Sequence, residues 1–504
     1  MKINKVTKGI NIIFTVITFL LLTIASVKFI SYNSNIIKNI PVFAGGIGIA
    51  LCFILVSGIK EFKKSSLMTM TLVQKVIALL LTVSVIAVIV VAFIQSVVVD
   101  YFQPFSLYDD VIYLSIAGFV LIIIRTFMSS ITAFFTSNYN KNTVLLMVGA
   151  MLLIVTLGSW NMIQGDFEYK NITEEAYHVF EAGESDYDIF RIPTILVIPN
   201  KSQLADGTVL TDDTVIVMTE ARKNGSSDHG DIDLVQKRST DGGDTWSELE
   251  VVRRWEDGIG KIGNSTPVFD QVTGEINLLH IAGEKPTDYK TYSMESSDGG
   301  ISWNEPRFIT EAIVGPGHGI QIDSGDYEGR LVIPGYKDGG SYAIYSDDHG
   351  QTWLPSEQFD DGNECEITQV NDQGKLMIAV RTIHPVSEPH EKFHKLFAFS
   401  DDGGATWSEL KENQALKEPV CMSSVVRGDG IYYSYPNDYY SRSNMTIAKS
   451  TDEGITFENI LSVYDGPAGY SDLGITADNE LLLVFENGAV EYDERITFLK
   501  IKNQ

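Results

Sequence analysis

Hydrophobic and polar positions divide the sequence into two parts with different patterns. Residues 1–165 contain five apolar stretches, each long enough for a bilayer-spanning helix, at 9–31, 41–59, 74–99, 111–134 and 143–163. From residue 186 onward the apolar runs are short and separated by Gly, Asn and Asp, as in TILVI at 194–198 and LLLVF at 481–485. The pattern predicts a multi-span transmembrane region at 1–165, a polar linker at 166–185 and an all-β domain at 186–504.

Charged residues between the apolar stretches predict an orientation in the membrane. Lysines precede the first and the fifth stretch and separate the second from the third, whereas Asp100, Asp109 and Asp110 follow the third. The positive-inside rule then places the N-terminus in the cytoplasm and the β domain outside the cell. A cleaved signal peptide is the alternative for the first stretch, but no A-x-A site follows it. We therefore expect a multi-pass protein of the plasma membrane, with bilayer lipid as a partner.

Five copies of one short pattern recur in the β part. They begin at Ser239, Ser296, Ser346, Ser400 and Ser450, in steps of 57, 50, 54 and 50 residues, and follow the form S-x-D-x-G-x-T-W. The Asp can accept backbone N–H bonds inside a turn, and the Gly permits positive φ. A repeat of this length in an all-β domain predicts a β-propeller in which these turns, termed Asp boxes below, are structural.

The charge of the chain limits its partners. The net charge is −27, and because residues 1–165 carry 11 Lys and Arg against 4 Asp and Glu, the remainder carries −34. Such an acidic domain repels nucleic acid, and it would bind an anion only where cations are gathered locally. We expect no cofactor and no metal. Cys365 and Cys421 could pair, but their spacing does not require it.

Strand direction places several polar residues at one end of the predicted propeller. In an antiparallel sheet the start of one strand lies beside the end of the next. By this rule eight side chains fall at the end opposite the Asp boxes: Arg191, Arg222, Asp228, Glu364, Arg381, Arg442, Tyr470 and Glu486. Five others share this position: Asn264, Thr266, His318, Tyr336 and Asp338. Any one of them would ordinarily be a surface or packing residue, but together they indicate a site.

Short motifs around these positions are shared with one family. They are Phe190-Arg191-Ile192-Pro193, the Asp boxes, Asn363-Glu364-Cys365, Glu418-Pro419-Val420-Cys421 and Tyr470-Ser471-Asp472-Leu473. Over roughly 185–504 the chain resembles the exo-α-sialidases (neuraminidases) of bacterial and animal type. The resemblance implies a six-bladed propeller whose sixth blade combines strands from both ends of the domain. It also implies a glycoside hydrolase that acts on sialylated glycans.

The resemblance implies that arginines bind the substrate. Arg191, Arg381 and Arg442 would form a triad that binds the carboxylate of sialic acid, and Arg222 would be an additional pocket arginine. Glu486 would orient Arg191. Guanidinium forks suit this task, because they match the two oxygens of a carboxylate.

The resemblance also implies a retaining mechanism. Tyr470 would be the nucleophile, Glu364 its base, and Asp228 the general acid and base. An anionic nucleophile would approach the carboxylate-bearing anomeric carbon against like charge, and a neutral tyrosine avoids that repulsion.

Three alternatives to hydrolysis remain open at this point. Sialyl transfer, to another sugar or within the sialic acid itself, would use the same residues and differ in the rim loops. A non-catalytic sialic acid receptor would need the arginines, but not Tyr470, Glu364 and Asp228. A propeller with Asp boxes and no sialic acid site would need none of them.

Overall fold

Antiparallel β-strands make up most of the regular structure in the computed structural model. It describes residues 167–502, except 256–259, 338, 384–388, 390 and 391. Among these residues the helical elements are the short 3-10 turns Glu184–Asp186 and Pro286–Asp288 and the 3-10 residue Lys392. The strands form six consecutive antiparallel groups, which are the blades of a propeller.

The first three blades follow one another along the chain. Their strands are β2 (Ile189–Ile198), β3 (Thr214–Arg222), β4 (Ile232–Ser239), β5 (Glu250–Arg253), β6 (Lys261–Asp270), β7 (Glu275–Gly283), β8 (Lys290–Ser296), β9 (Arg307–Thr310), β10 (Ile313–Val314), β11 (Ile320–Gln321), β12 (Leu331–Lys337), β13 (Gly340–Ser346) and β14 (Leu354–Pro355). In the third blade β10 and β11 both pair with β12, so together they occupy the position of one inner strand.

The fourth and fifth blades continue in the same way, and one long strand leads into the sixth. Their strands are β15 (Cys365–Gln369), β16 (Leu376–Val380), β17 (His394–Ser400), β18 (Lys411–Lys417), β19 (Ser424–Arg427), β20 (Ile431–Pro436), β21 (Ser443–Ser450), β22 (Glu458–Ile475), β23 (Leu481–Asn487) and β24 (Arg495–Ile501). The first part of β22 pairs with β21, and its second part pairs with β23. Thus β22 is both the outer strand of blade five and the inner strand of blade six.

The sixth blade is completed by a strand from the other end of the domain. β1 (Tyr177–Glu181) pairs with β24 in antiparallel register, with Tyr177 opposite Phe498. Phe180 of β1 is fully buried and stacks on Phe190 with ring centroids 5.1 Å apart. Tyr169 also donates a hydrogen bond to Asn487 Oδ1 at 2.9 Å. The implied closure of blade six by strands from both ends is confirmed, and β1 lies within the stretch expected to be a linker.

Apolar packing joins each blade to its neighbours. Six buried clusters lie one between each pair of adjacent blades, and the inner strands β2, β6, β10/β11, β15, β19 and β22 contact one another in cyclic order. Strands such as β16 are therefore buried on both faces, which explains why they are continuous apolar runs without alternation. The ring of inner strands brings distant parts of the sequence to one axis.

The Asp boxes connect the third and fourth strands of the first five blades. In the first box, Asp241 Oδ1 accepts hydrogen bonds from Ser239 Oγ at 2.7 Å and from the Thr245 N–H at 2.9 Å. Ser239 Oγ in turn accepts the Gly243 N–H at 2.7 Å, and Gly243 has φ +101°. The other four boxes repeat these bonds. The prediction that they are structural turns is confirmed.

The expected helical membrane region is corrected. In the ranges described above, no helix is long and apolar enough to cross a membrane. The five apolar stretches themselves lie within 1–165, outside the described residues. The prediction rested on apolar length, which shows only that a stretch is long enough to span a bilayer. The multi-pass topology and the extracellular plasma-membrane location inferred from those stretches are withdrawn.

Candidate active site

The structure brings all eight predicted site residues together at the end of the blades opposite the Asp boxes. Their positions follow from strand direction: residues near the start of inner strands meet residues at the end of second strands. Arg191 lies near the start of β2, Arg222 ends β3, and Arg381 follows the end of β16. Of the eight, Asp228 has the most exposed side chain described here, at 65%, and it lies on the loop after β3.

Tyr470 and Glu364 form the centre of the site. The Tyr470 hydroxyl lies 2.7 Å from Glu364 Oε1 and 2.8 Å from Oε2, and both residues are buried. Arg381 Nη1 donates a hydrogen bond to the same hydroxyl at 2.7 Å and also pairs with Glu364 Oε2. Burial raises the pKa of Tyr470 well above its ordinary value, while Arg381 and Arg442 oppose the shift. The hydroxyl is therefore neutral and in contact with a carboxylate that can accept its proton.

Three guanidinium groups surround the ring of this tyrosine. The Cζ atoms of Arg191, Arg381 and Arg442 lie 5.4, 6.0 and 5.2 Å from the Tyr470 ring centroid. Arg381 Nε is buried and has no hydrogen-bond partner among the described residues. The site thus concentrates positive charge in an otherwise acidic domain, as an anionic ligand requires.

Glu486 on β23 holds Arg191 and the strand that carries Tyr470 together. Its Oε1 accepts Arg191 Nε at 2.7 Å and the Ile192 N–H at 2.8 Å, and its Oε2 accepts the Tyr470 N–H at 3.0 Å. Ile192 has φ +62°, an unfavourable conformation for a β-branched residue, within a bulge of β2. The hydrogen bond that the Ile192 N–H donates to Glu486 stabilises this bulge, which directs Arg191 towards the site.

Arg222 links the exposed loop after β3 to a buried pair of charges. It lies 2.7 Å from Glu220 Oε2 and 2.9 Å from Asp228 Oδ1, and Lys261 Nζ contacts Glu220 Oε1 at 2.7 Å. Burial on its own raises the pKa of Asp228, but Arg222, Arg191 and Lys261 outweigh it and lower the pKa to about 2. In this arrangement Asp228 is ionised at neutral pH.

A second glutamate supports the other two arginines, and the sequence analysis did not assign it a role. Glu418 is fully buried, pairs with Lys395 Nζ at 3.0 Å, and accepts a hydrogen bond from the Thr382 N–H at 3.0 Å, one residue after Arg381.

Glu418 also accepts a hydrogen bond from the Cys421 N–H at 3.0 Å. The carbonyl of the preceding residue, Val420, accepts a hydrogen bond from Arg442 Nη2 at 2.9 Å. Glu418 therefore positions two triad arginines, as Glu486 positions the first.

Other residues at the site were also missed. Tyr492, on the loop between β23 and β24, lies with its ring centroid 5.1 Å from Arg191 Cζ and 5.2 Å from Arg442 Cζ. Glu220 could have been found, because it lies two residues before Arg222 on β3 and strand alternation places both on one face. Tyr492 lies on a loop, where no periodicity predicts the direction of a side chain.

The five other residues that strand direction placed at this end of the propeller have different surroundings. Asn264 donates a hydrogen bond to the Val314 carbonyl at 3.0 Å, and burial raises the pKa of Tyr336. Thr266 Oγ1 bonds the Asn264 carbonyl at 3.2 Å. His318 lies at the axis, whereas Asp338 lies outside the described residues.

Among the described residues, one group of three side chains has the composition of a metal site. Ligand atoms of His318, Glu366 and Asp472 lie within 4.8 Å of one another. These atoms already bond to one another, with His318 Nδ1 at 2.8 Å from Asp472 Oδ1 and 2.9 Å from Glu366 Oε1. Cys365 and Cys421 are buried free thiols.

Known sequences and structures are similar to this part of the chain. Residues 214–483 match the family described as BNR repeat-like domain. The sialidase of Micromonospora viridifaciens is 26% identical over 347 residues, which cover 61% of this chain and 51% of that protein. The sialidase of Bacteroides fragilis is 26% identical over 377 residues, covering 64% of each. The chain thus spans about half to two thirds of the length of these relatives.

A solved structure shows the same fold. The Hadza microbial sialidase Hz136 matches with a TM-score of 0.53 at 24% identity, over 65% of this chain and 68% of that one. The family match covers more than half of the sequence, and the six blades, the Asp boxes and the cluster of arginines agree with it. The chain belongs to the BNR repeat-like domain family, and the relatives that it is similar to are sialidases.

Proposed function

We propose that this protein is an exo-α-sialidase that releases terminal sialic acid from glycoproteins, glycolipids and oligosaccharides. The observation that carries the proposal is the contact of the Tyr470 hydroxyl with both carboxylate oxygens of Glu364, at 2.7 and 2.8 Å, beside three arginines. A receptor would need the arginines to bind sialic acid, but it would not need a buried nucleophile in contact with a base. The pair therefore favours catalysis over binding alone.

The arginines bind the carboxylate attached to the anomeric carbon. The Tyr470 ring is surrounded by guanidinium groups from different elements, those of Arg191, Arg381 and Arg442. A carboxylate bound by these groups therefore lies beside the Tyr470 hydroxyl. Hydrogen bonds from charged donors are strong and directional, and here they place the anomeric carbon for attack.

The first chemical step forms a bond from the tyrosine to the sugar. The Tyr470 oxygen attacks the anomeric carbon while Glu364 accepts the phenolic proton. The bond from the anomeric carbon to the leaving oxygen breaks, and Asp228 gives that oxygen its proton. In the second step Asp228 takes a proton from water, the water oxygen replaces the tyrosine, and Glu364 returns the proton to Tyr470. Two displacements at one carbon give net retention.

Asp228 must gain a proton before it can act as an acid. The free carboxylate is exposed and paired with Arg222, and its pKa is about 2. A bound substrate covers the carboxylate and adds negative charge beside the arginines, and both effects raise the pKa of a carboxyl group. The substrate thus prepares Asp228 for its role as acid.

The test incubates the full-length protein with α2,3- and α2,6-sialyllactose and weighs the released sugar by mass spectrometry. Free sialic acid supports the proposal, and NMR of the first-formed product should show the α-anomer. A product lighter by one water would instead identify intramolecular transfer, and a sialylated acceptor sugar would identify intermolecular transfer. Binding of sialyllactose with no release would identify a receptor.

A further inference from the structure

A buried histidine joins the strand that carries Tyr470 to the strand that follows Glu364. His318 lies between β10 and β11, is 8% exposed, and its Nδ1 lies 2.8 Å from Asp472 Oδ1 and 2.9 Å from Glu366 Oε1. Its backbone N–H also donates to Glu366 Oε1 at 3.0 Å. Burial on its own lowers the pKa of a histidine, but these two carboxylates outweigh it and raise the pKa of His318 well above its ordinary value. A charged imidazole therefore bridges them.

The two carboxylates of the bridge lie two residues after the catalytic pair along the chain. Asp472 is two residues after Tyr470, and Glu366 is two residues after Glu364. The contacts of His318 with Asp472 and Glu366 therefore accompany the contact of Tyr470 with Glu364 two residues earlier on each segment. The bridging histidine, His318, thus holds both strands at the level next to the reacting groups.

Backbone hydrogen bonds do not fix the distance between these two strands. β15, which follows Glu364, and β22, which carries Tyr470, belong to different sheets. The strand β19 of blade five lies between them in the ring of inner strands and adds a bond from Ser424 Oγ to Asp472 Oδ1 at 2.9 Å. Glu366 of β15 and Asp472 of β22 are linked through His318, and β19 also contacts Glu366 through the Val425 N–H at 3.3 Å.

We propose that His318 is a positioning residue for the catalytic pair. By binding Asp472 and Glu366 at once, it fixes the spacing of their strands. That spacing sets the contact of Tyr470 with Glu364. Without the imidazole, the two buried carboxylates would repel each other and the strands would separate. The inference rests on the proposed function for its effect on turnover, but the geometry of the pair can be tested without it.

The test compares His318→Gln with His280→Gln in the full-length protein. His280 is also fully buried on a strand, β7, but it contacts Arg253, away from the site. We expect His318→Gln to lower kcat on an aryl sialoside about 10–100-fold with little change in KM, because small misplacements of reacting groups are costly. The His280 variant should keep the wild-type kcat. In a Tyr470→Phe background, His318→Gln should cause no further loss, because it acts through the hydroxyl.

A crystal structure of the His318→Gln variant supplies the second readout. We expect the Tyr470 oxygen to lie beyond hydrogen-bond distance from Glu364, and a contact still at 2.7–2.8 Å would overturn the inference. An unchanged kcat, or additive losses in the double variant, would also overturn it. Wild-type protein that releases no sialic acid would refute the proposed function, and the crystal structure would still decide on His318. If this variant does not fold, Glu366→Gln removes one arm of the bridge and takes its place in both measurements.

Discussion

At the scale of single residues, the shape of a guanidinium group matters as much as its charge. Arg381 donates from one Nη atom to Tyr470 and pairs with Glu364, and its buried Nε has no partner among the described residues. A lysine carries the same charge on a single atom and lacks the planar set of guanidinium donors that matches both oxygens of a carboxylate. Replacing Arg381 with lysine therefore keeps the positive charge and removes the geometry of the guanidinium group.

We predict that Arg381→Lys lowers kcat/KM for sialyllactose on the order of 10–100-fold. A hydrogen bond to a charged group contributes about 1.5–3 kcal/mol, and 1.4 kcal/mol is a factor of ten. Steady-state kinetics measures the loss. Arg330→Lys is the matched control, because Arg330 is buried and pairs with Asp347 at the Asp-box end. Near-normal kinetics for the Arg381 variant would remove it from the carboxylate site.

We predict that Asp228→Ala affects substrates according to their leaving groups. A sugar alkoxide departs poorly without a proton, whereas an aryl oxide such as methylumbelliferone departs largely unaided. The variant should lose about 10²–10⁴-fold on sialyllactose, the usual range for general acid–base catalysis, and clearly less on the aryl sialoside. Single-turnover rates on both substrates make the comparison. Equal losses would argue against Asp228 as the acid and would favour Asp231, whose side chain pairs with Lys223.

Strand direction predicted which residues meet at the site, but not how they are supported. Arg191, Arg381 and Tyr470 could be placed because each lies near the end of a recognisable strand. Lys395 and Glu418 are 23 positions apart and bury their charges against each other. Such a pair depends on the register of β17 and β18, and the apolar and polar pattern around neither residue distinguishes it from a surface charge.

At the scale of elements, the Asp boxes make the fold sensitive to acid. In all five boxes hydrogen bonds to the carboxylate lower the pKa of the aspartate, although burial opposes the shift. An aspartate with a lowered pKa stabilises the fold above its unfolded-state value of about 3.9, and this stabilisation is lost as the pH falls through the folded-state value. The propeller should therefore lose stability as the solution is acidified below about pH 4.

We predict that Asp298→Asn weakens this acid dependence. The amide cannot be protonated in this range, so the difference in Tm between about pH 6 and pH 3 should be smaller than in the wild type. Thermal unfolding followed by circular dichroism measures the difference. Asp326→Asn, an exposed residue outside the boxes, should leave the dependence unchanged. An identical acid dependence in both variants would mean that the boxes do not contribute to it.

The elements were predicted with uneven success. Short apolar runs correctly located strands such as β2 and β23, because buried strands are apolar on both faces. The break between β10 and β11 was not predicted, since it depends on the Gly315-Pro316-Gly317 segment passing close to Thr266 and Glu366. The dual role of β22 in two blades also depends on its partners rather than on its own sequence.

At the scale of the whole molecule, the propeller is closed by β1, and this contact should be energetically important. Phe180 is fully buried against Phe190 and belongs to the cluster between blades six and one. We predict that Phe180→Ala lowers the free energy of unfolding by about 3–5 kcal/mol, the usual cost of removing a buried aromatic ring. Denaturant unfolding measures the change. Tyr177→Ala, at a 40% exposed position on the same strand, should cost much less. Equal effects would mean that β1 is not a closing strand.

The link between Arg191 and Glu486 joins residues 295 positions apart along the chain. During synthesis on the ribosome, the N-terminal arginine emerges long before its glutamate is made. The nascent chain can assemble its early blades in order, but Arg191, Ile192 and Tyr470 receive their shared hydrogen-bond acceptor only when β23 has been translated. The pocket of arginines around Tyr470 therefore cannot be completed before β23 has been translated, and polypeptides released earlier would contain most of the blades without the completed pocket.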